Sequence, residues 1–222
     1  MLNPIAHLRC DLPEKFGVPR QSGLVDLPAR VVFEPPYRLA EALRGIEGYD
    51  YLWLLWEFSH TADAGWHPTV RPPRLGGNQR VGVFATRSPF RPNPIGLSSV
   101  RLLRVEWETA EGPCLLVSGA DLVDGTPIYD IKPYLPYTDC HPDARSGFAP
   151  IGADRQLEVT CADGVDNHNL SPEQWETLQQ LLAQDPRPRY QDDPERHYTM
   201  SFGGTEVTFH VEDNLLTIDK IE

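Results

Sequence analysis

Proline sets the limits on what this chain can fold into. The sequence of 222 residues contains 22 prolines, distributed from Pro4 to Pro194. A proline fixes its own φ angle and has no main-chain N–H donor, so it interrupts helices and is confined to the ends or edges of strands. Long helices are therefore disfavoured over most of the chain, and short elements joined by rigid turns are expected.

Between the prolines, aromatic and aliphatic residues cluster in runs that are typical of strands. The predicted strands are Ile5–Arg9, Gly48–Phe58, Arg80–Ala85, Leu97–Trp107 and Cys114–Ala120. One short helix is predicted at Arg38–Arg44, where apolar residues share a face. These elements favour a compact, mostly β main domain, and we predict a β-barrel.

A second unit follows Tyr137, after a stretch without hydrophobic periodicity. Ser171 at the N-cap, Pro172 at the first helical position and Gln174 two positions later predict a helix over 171–184. Residues 197–202, 205–211 and 215–218 predict a small antiparallel meander. We predict a main domain over 1–140, then a connector and a small C-terminal α+β domain over 141–222, which makes the fold α+β overall.

The chain shows no sign of a membrane segment or a metal site. No apolar run approaches the roughly 20 residues that a membrane helix needs, and the N-terminus lacks the layout of a signal peptide. Four scattered cysteines contain no C-x-x-C pair, and the separation of His60 and His67 fits no common ligand spacing. We predict a cytoplasmic protein without membrane contact and without metal.

Charge is distributed unevenly along the sequence. The formal net charge is −12, which argues against nucleic acid as a partner. The segment Arg71–Arg104 nevertheless contains seven arginines and no Asp, Glu or Lys. Because guanidinium groups grip phosphates and carboxylates bidentately, the segment is either an anion-binding surface or a set of solvated arginines.

Two polar loops offer side chains suited to a binding site. Residues 87–96 contain three prolines and must form a rigid loop, which would hold Arg87, Arg91 and Asn93 at little entropic cost. Residues 121–134 offer acids, a lysine and tyrosines, which could bind a ribose diol or relay a proton. A stiff surface connection and a plain Asp-Gly turn are the competing explanations. No glycine-rich dinucleotide motif, Walker loop or G-x-S-x-G elbow is present.

The two loops are similar to the signature of a known family. Gly82–Ser98 and Asp121–Tyr137 resemble the TrmO, or TsaA-like, tRNA (threonylcarbamoyladenosine) methyltransferases, which depend on S-adenosylmethionine. The likeness extends to Pro19–Leu24, Gly65–Asn78 and Asp185–Tyr190, and so spans nearly the whole chain. The resemblance implies a β-barrel methyltransferase unrelated to the Rossmann type, a homodimer, and a C-terminal domain that assists tRNA recognition.

The resemblance also implies where the cofactor binds. The implied S-adenosylmethionine contacts are Pro19, Arg20, Gln21, Ser59, His60, Arg87, Leu97, Leu122, Val123, Asp124 and Gly125. One departure concerns Phe58-Ser59, where several relatives have Phe-His. A catalytic role for a histidine at that position therefore does not carry over, although His60 follows immediately.

The chemistry of the implied reaction suggests further residues. The acceptor nitrogen of threonylcarbamoyladenosine belongs to a urea and must lose a proton, so a general base or the substrate's own carboxylate is expected. Asp130 is the predicted base, with Asp124 as the second candidate and with Tyr134 and Lys132 orienting the site.

The arginine-rich segment is expected to contact the tRNA. Arg91 is predicted to bind the threonyl carboxylate, with Asn93 beside it in the rigid loop. Arg71 and Arg74 are predicted to bind the tRNA backbone. The target adenosine lies next to the anticodon in a loop that is already largely unpaired, so its presentation costs less than flipping from a duplex.

Two other functions fit the same residues. A non-catalytic sensor or adaptor module that binds an adenosine-type ligand or RNA would use the same loops. A methyltransferase of the same fold acting on another small substrate would also use them. Transfer of a methyl group to tRNA, and its dependence on threonylcarbamoylation, separate the three.

Overall fold

The computed structural model describes residues 2–75, 78–148, 156–167, 169–188 and 193–222, apart from the side chains of residues 62–64 and of Arg74. The strands in these ranges are β1 Ala6–Cys10, β2 Pro28–Phe33, β3 Tyr51–Glu57, β4 Thr69–Val70, β5 Val81–Gly82, β6 Ile95–Glu106, β7 Cys114–Ser118, β8 Pro127–Pro133, β9 Glu158–Cys161, β10 Tyr198–Phe202, β11 Thr205–Glu212 and β12 Leu215–Ile221. The α-helices are α1 Pro136–Asp139 and α2 Pro172–Ala183, and short 3-10 helices lie at Pro35–Tyr37, Ala40–Leu43, Ile46–Gly48, Ser59–Ala64, Pro73–Leu75 and Val83–Ala85.

Six strands form a closed barrel in the order β1-β2-β7-β6-β3-β8, and every neighbouring pair in it is antiparallel. Alternate side chains of β3, namely Leu52, Leu54 and Trp56, are buried inside the barrel. The alternation follows from the period of two in a strand, which sends successive side chains to opposite faces. The predicted mostly β fold with a barrel is confirmed.

One strand of the barrel lies in a segment that was predicted as a loop. Within residues 121–134, β8 pairs with both β1 and β3 and thereby closes the barrel. Proline stands at both ends of β8, and polar residues lie on its outer face. The alternation of apolar and polar residues that identifies a strand is therefore hard to recognise in this segment. The strand β2 was also not predicted, because its apolar run is only a few residues long and begins with Pro28.

Two other predicted elements differ in type. The predicted helix Arg38–Arg44 is a 3-10 turn over Ala40–Leu43. The predicted strand Arg80–Ala85 is the two-residue strand β5 followed by a 3-10 turn. Neither segment has enough regular main-chain pairing to continue as a longer element.

The C-terminal part forms a second sheet in the order β10-β11-β12-β9, with α2 packed beside it. The predicted capping box begins α2: Ser171 Oγ accepts from Gln174 N at 3.1 Å, and Gln174 Oε1 accepts from Ser171 N at 3.0 Å. The strand β9 pairs parallel with β12 and was not predicted from the sequence.

The second sheet packs against the segment that joins β1 to β2. Leu12, Val25 and Leu27 from this segment are buried in the same hydrophobic cluster as the side chains of α2 and the second sheet. Asp11 adds polar contacts, since its main-chain oxygen accepts from Gly203 N at 3.0 Å and its carboxylate accepts from Gln174 Nε2 at 2.9 Å. The β1–β2 connection is thus held between the two sheets.

Among the helices of the described ranges, none combines the length and the apolar character needed to cross a membrane.

Candidate active site

A cavity of about 490 Å³ opens at one end of the barrel. It is bounded by the β1–β2 connection, the end of β3, the loop before β6, the start of β6, and the loop between β7 and β8. In an antiparallel barrel these chain ends meet at the same rim, so segments distant in sequence converge on one volume. Its size is in the usual range for sites that bind small molecules.

Nine of the eleven residues expected to contact a cofactor line this cavity. They are Pro19, Arg20, Gln21, Ser59, His60, Arg87, Leu97, Leu122 and Val123. The structure therefore brings together residues that the sequence separates by up to about a hundred positions.

Asp124 and Gly125 are not among the lining residues and instead fix the loop behind them. The Asp124 carboxylate accepts from Cys10 N at 3.0 Å and lies 3.5 Å from Arg9 Nη1. Gly125 has φ 76°, a left-handed conformation that favours glycine, and its N–H donates to Leu8 O at 2.8 Å. Both residues hold the loop that presents Leu122 and Val123.

One wall of the cavity is apolar. The rings of Trp56 and Phe58 lie edge to face with centroids 4.3 Å apart. Gly96 lies directly against the Trp56 indole, where a Cβ atom would overlap the ring. Leu97, about half exposed, also lines the cavity. An aromatic group would find an apolar surface here.

A buried hydrogen-bond chain runs from this wall to a carboxylate. Trp56 Nε1 donates to Ser98 Oγ at 2.9 Å, and Ser98 Oγ donates to Asp121 Oδ1 at 2.5 Å. Burial raises the pKa of the Asp121 carboxyl above its usual value, while the Ser98 hydrogen bond and the charge of Arg87 oppose that rise. Asp121 lines the cavity and is held in one orientation.

Arginine and glutamine side chains contribute a polar part of the lining. Arg87 Nη1 donates to Gln21 Oε1, and Gln21 Nε2 donates to the main-chain oxygen of Arg20. Arg20 Nη2 donates to Asp185 O at 2.8 Å and lies 3.4 Å from Arg187 O. The C-terminal part of the chain thus contacts a cavity-lining arginine directly.

The residues predicted to bind the substrate are placed differently from one another. Arg91 lines the cavity, but its Nη1 donates to Thr86 O at 2.7 Å and lies 3.3 Å from Val83 O, so it also holds the preceding turn. Asn93 and Arg71 are exposed and lie outside the lining. The side chain of Arg74 is outside the described part of the structure.

The three residues predicted to act in catalysis are not brought to the cavity. Register in β8 places Asp130 opposite Leu55 and Lys132 opposite Trp53, on the outer surface of the barrel, where the two charged groups pair at 2.8 Å. Tyr134 packs there on Trp53, with ring centroids 5.5 Å apart. Alternation along the strand causes this placement, since the inward positions belong to the apolar residues.

Two cavity-lining carboxyl groups were not assigned a role from the sequence. They are Glu57 and Asp121. Glu57 ends the aromatic strand β3, and its carboxylate contributes, after burial, to raising the pKa of Tyr129 to about 12. Asp121 directly follows the small residues that end β7. An acid at the rim end of an apolar strand is the signal that could have identified both.

Two family models together match most of the chain. The model described as tRNA-methyltransferase O N-terminal domain matches residues 7–140, and the model described as TrmO C-terminal domain matches residues 154–222. The first match contains every strand of the barrel except the first residue of β1, and it includes all the residues that line the cavity.

Curated relatives and a solved structure agree with this match. A tRNA (adenine(37)-N6)-methyltransferase of Eikenella corrodens is 49% identical over 173 residues, covering 78% of this chain and 97% of the relative. One of the same description from Escherichia coli (strain K12) is 45% identical and covers 94% of this chain and 92% of the relative. A crystal structure of TrmO from Pseudomonas aeruginosa has a TM-score of 0.76 and 33% identity, covering 100% of this chain and 98% of that one. The chain therefore belongs to the tRNA-methyltransferase O family.

Proposed function

We propose that this protein is an S-adenosylmethionine-dependent tRNA methyltransferase that acts on the N6 nitrogen of adenine 37. Relatives at 45–49% identity are named for this activity, and other relatives are named as S-adenosylmethionine-dependent methyltransferases. The cavity where the two signature loops meet the end of β3 is the observation that carries the proposal. Because tRNA is the proposed substrate, we place the protein in the cytoplasm.

The cavity residues fit the cofactor in both shape and charge. The apolar lining that includes Trp56, Gly96 and Leu97 suits an adenine ring. The Arg87 guanidinium suits the carboxylate of the methionine part. S-adenosylmethionine supplies the methyl carbon together with its own sulfonium leaving group, so the protein need not activate either.

The chain's own residues position the acceptor and take up its proton. In threonylcarbamoyladenosine the N6 nitrogen is part of a urea, and its proton must leave as the new bond forms. Asp121 is our proposed proton acceptor in the cavity, because burial raises its pKa and a more basic carboxylate removes a proton more readily. Asp130, the acceptor predicted from sequence, lies on the outer surface. Positioning of the two reactants by the apolar wall supplies much of the remaining rate.

The arginine-rich loop on the rim is proposed to receive the anticodon loop. Arg91 borders the cavity and is proposed to bind the threonyl carboxylate, and Arg71 and Arg74 belong to the same acid-free segment. Concentrating arginine at the rim lets a chain of net charge −12 present a positive surface locally.

We further propose that two copies associate through the outer surface of β3, β6 and β8. Tyr51 is 45% exposed there and lies opposite Arg101 in the register. Arg101 and the Asp130–Lys132 pair give the surface both charges, as a self-complementary interface requires. Light scattering of the purified chain should give the mass of a dimer, and a monomer at all concentrations would reject this part of the proposal.

Transfer of labelled methyl from S-adenosylmethionine to tRNA tests the function. The tRNA comes from a strain that lacks this protein, and the labelled nucleoside is located by digestion and mass spectrometry. Label at N6 of adenine 37 is expected, and its loss with tRNA lacking threonylcarbamoylation would identify the modified base as substrate. Cofactor binding without transfer would instead indicate a sensor module.

A further inference from the structure

Three side chains that could ligate a metal ion meet on the outer face of the second sheet, away from the residues of the cavity. His197 precedes β10, His210 lies in β11 and Asp219 lies in β12. One ligand atom from each lies within 4.8 Å of the others. We propose that this cluster is a binding site for a divalent transition-metal ion of the zinc class.

The sheet itself constructs the cluster. The antiparallel register that pairs Tyr198 with Phe209 brings His197 beside His210, and their ring centroids are 5.4 Å apart. Asp219 belongs to the neighbouring strand on the other side of β11. Three residues separated by up to 22 positions therefore converge through strand pairing.

A β-bulge gives Asp219 its position. In the pairing of β11 with β12, Thr208 lies opposite Lys220 and Phe209 lies opposite Ile218, so Asp219 is the extra residue. A bulge leaves its residue outside the regular pairing and redirects its side chain, and bulges are frequent beside functional sites. Here the redirected carboxylate lies between the two imidazoles.

The present contacts are close to what a metal ion requires. Asp219 Oδ2 lies 2.8 Å from His197 Nδ1, and Asp219 Oδ1 lies 2.8 Å from His210 Nδ1. Tetrahedral zinc with bonds of about 2.0–2.1 Å holds its ligand atoms roughly 3.3–3.4 Å apart. Small side-chain rotations therefore suffice, without movement of the strands.

The donor set and its surroundings favour an ion such as Zn²⁺. Two imidazoles and one carboxylate suit zinc-class ions better than Ca²⁺ or Mg²⁺, which prefer all-oxygen sites. His197 is 59% exposed, so solvent can complete the coordination, whereas Asp219 is only 22% exposed and is well ordered by its contacts. Of the neighbouring cations, Lys220 pairs with Glu222 and the Arg196 guanidinium lies over the Tyr198 ring.

Binding would rearrange the hydrogens of the two imidazoles. Each Nδ1 now lies at hydrogen-bond distance from the Asp219 carboxylate. When the ion takes these positions, each bound ring carries its hydrogen on Nε2: a singly protonated ring exchanges its Nδ1 hydrogen for one on Nε2 through solvent, and a doubly protonated ring releases one proton. The ion would then tie the residue before β10 to β11 and β12. The sequence predicted that the protein binds no metal. It gave no sign of this proposed site, because the three ligands are brought together by strand register and not by a local motif.

Titration of untagged, chelator-stripped protein with ZnCl₂ at neutral pH tests the site. The expected result is one Zn²⁺ per chain and a rise in Tm with added metal. Asp219→Asn, His197→Gln and His210→Gln should each weaken binding by about tenfold or more. His141→Gln is the matched control, since His141 is exposed and outside the cluster, and it should bind like the wild type.

Cobalt provides a second measurement that is independent of methyl transfer. Co²⁺ at this site should give visible bands of a nitrogen- and oxygen-coordinated ion, without thiolate charge transfer, because none of the four free cysteines belongs to the cluster. Failure of the stripped wild type to bind Zn²⁺ stoichiometrically would overturn the proposal. So would wild-type affinity in any of the three cluster variants, or a thiolate signature for Co²⁺. His197→Gln keeps the test decisive if another variant fails to fold, because its side chain is largely exposed.

Discussion

Gly96 lies so close to the Trp56 indole that a Cβ atom on residue 96 would fall within the ring's van der Waals surface. Both residues line the cavity, and Trp56 is 7% exposed, so the ring has little room to move aside. The absence of a side chain at residue 96 is thus a condition of packing in the cavity wall.

Gly96→Ala should destabilise the protein by roughly 1–3 kcal/mol, because an overpacked site forces the ring or the strand to shift. Binding of S-adenosylmethionine should weaken in parallel, as the wall loses its shape. Thermal unfolding and calorimetric titration measure the two effects. Gly82→Ala is the control, because a Cβ there meets no atom within 4 Å and the φ of Gly82 is −59°.

Arg87→Lys should weaken cofactor binding by about tenfold. An ammonium group cannot form the bidentate hydrogen bonds of a guanidinium to a carboxylate while it also donates to Gln21 Oε1. Stability should change little because Arg87 is exposed. Arg30→Lys is a matched control at an exposed arginine that pairs with Glu106, 3.0 Å away, and does not line the cavity. Equal affinity in both variants would remove Arg87 from the proposed cofactor contacts.

Asp121 should make the stability of the protein depend on pH. Burial raises its pKa in the folded state above 3.8, so the folded chain holds this proton more tightly than the unfolded chain. Asp121 therefore stabilises the folded protein fully at pH values below the ordinary pKa of an aspartate. This stabilisation is lost as pH rises through the raised folded-state pKa. Asp121→Asn, which keeps an oxygen to accept from Ser98, should flatten this part of the profile and raise Tm at neutral pH.

The same substitution should abolish methyl transfer, whereas Glu57→Gln should reduce it less. Unfolding followed over pH 3–8 and single-turnover methylation measure the two consequences of Asp121→Asn. Unchanged transfer by this variant across the range would exclude Asp121 as proton acceptor.

Asp185→Asn should loosen the contact between the C-terminal part and the cavity. The Asp185 carboxylate accepts from Arg187 Nε at 2.8 Å and Nη2 at 3.0 Å, and Arg187 is buried. Loss of the charge should cost about 2 kcal/mol of stability, and cofactor affinity should fall because Asp185 O also accepts from Arg20.

A matched control exists for that variant. Asp213 is the other described non-glycine residue with positive φ, 54° against 51° for Asp185, and it is exposed in a turn. Asp213→Asn therefore tests the backbone conformation without a buried partner, and urea unfolding should distinguish the two. Similar losses in both variants would attribute the effect to the backbone rather than to Arg187.

Local signals in the sequence predicted some features well. The capping box at Ser171 and Gln174 is formed as expected, because its hydrogen bonds join residues three apart and depend on no distant partner. The β-rich barrel followed from the density of prolines and strand-forming runs. The placement of Arg87 and Leu122 at one cavity came from the resemblance of two motifs to a family, since no local rule connects loops 35 residues apart.

Features that depend on pairing between distant strands were harder to predict. Asp130 was expected in the site because it belongs to a polar segment, yet the register of β8 with β3 sends it outward. Asp121 has a special environment only once Ser98 and Arg87 are beside it. The cluster of His197, His210 and Asp219 was not predicted either, because it depends on strand pairing and on the β-bulge at Asp219. The division into domains at residue 140 stays a prediction.

The order β10-β11-β12-β9 has a consequence for synthesis on the ribosome. The strand β9, at Glu158–Cys161, pairs with β12, which ends one residue before the C-terminus of the sequence. During synthesis, some sixty residues must follow β9 before its pairing partner, β12, is complete. Leu12 and Leu27, made much earlier, wait for the same event to be covered. Losing only β12 would therefore leave β9 without its pairing partner and uncover Leu12 and Leu27, so the pairing of β12 decides whether these side chains stay buried.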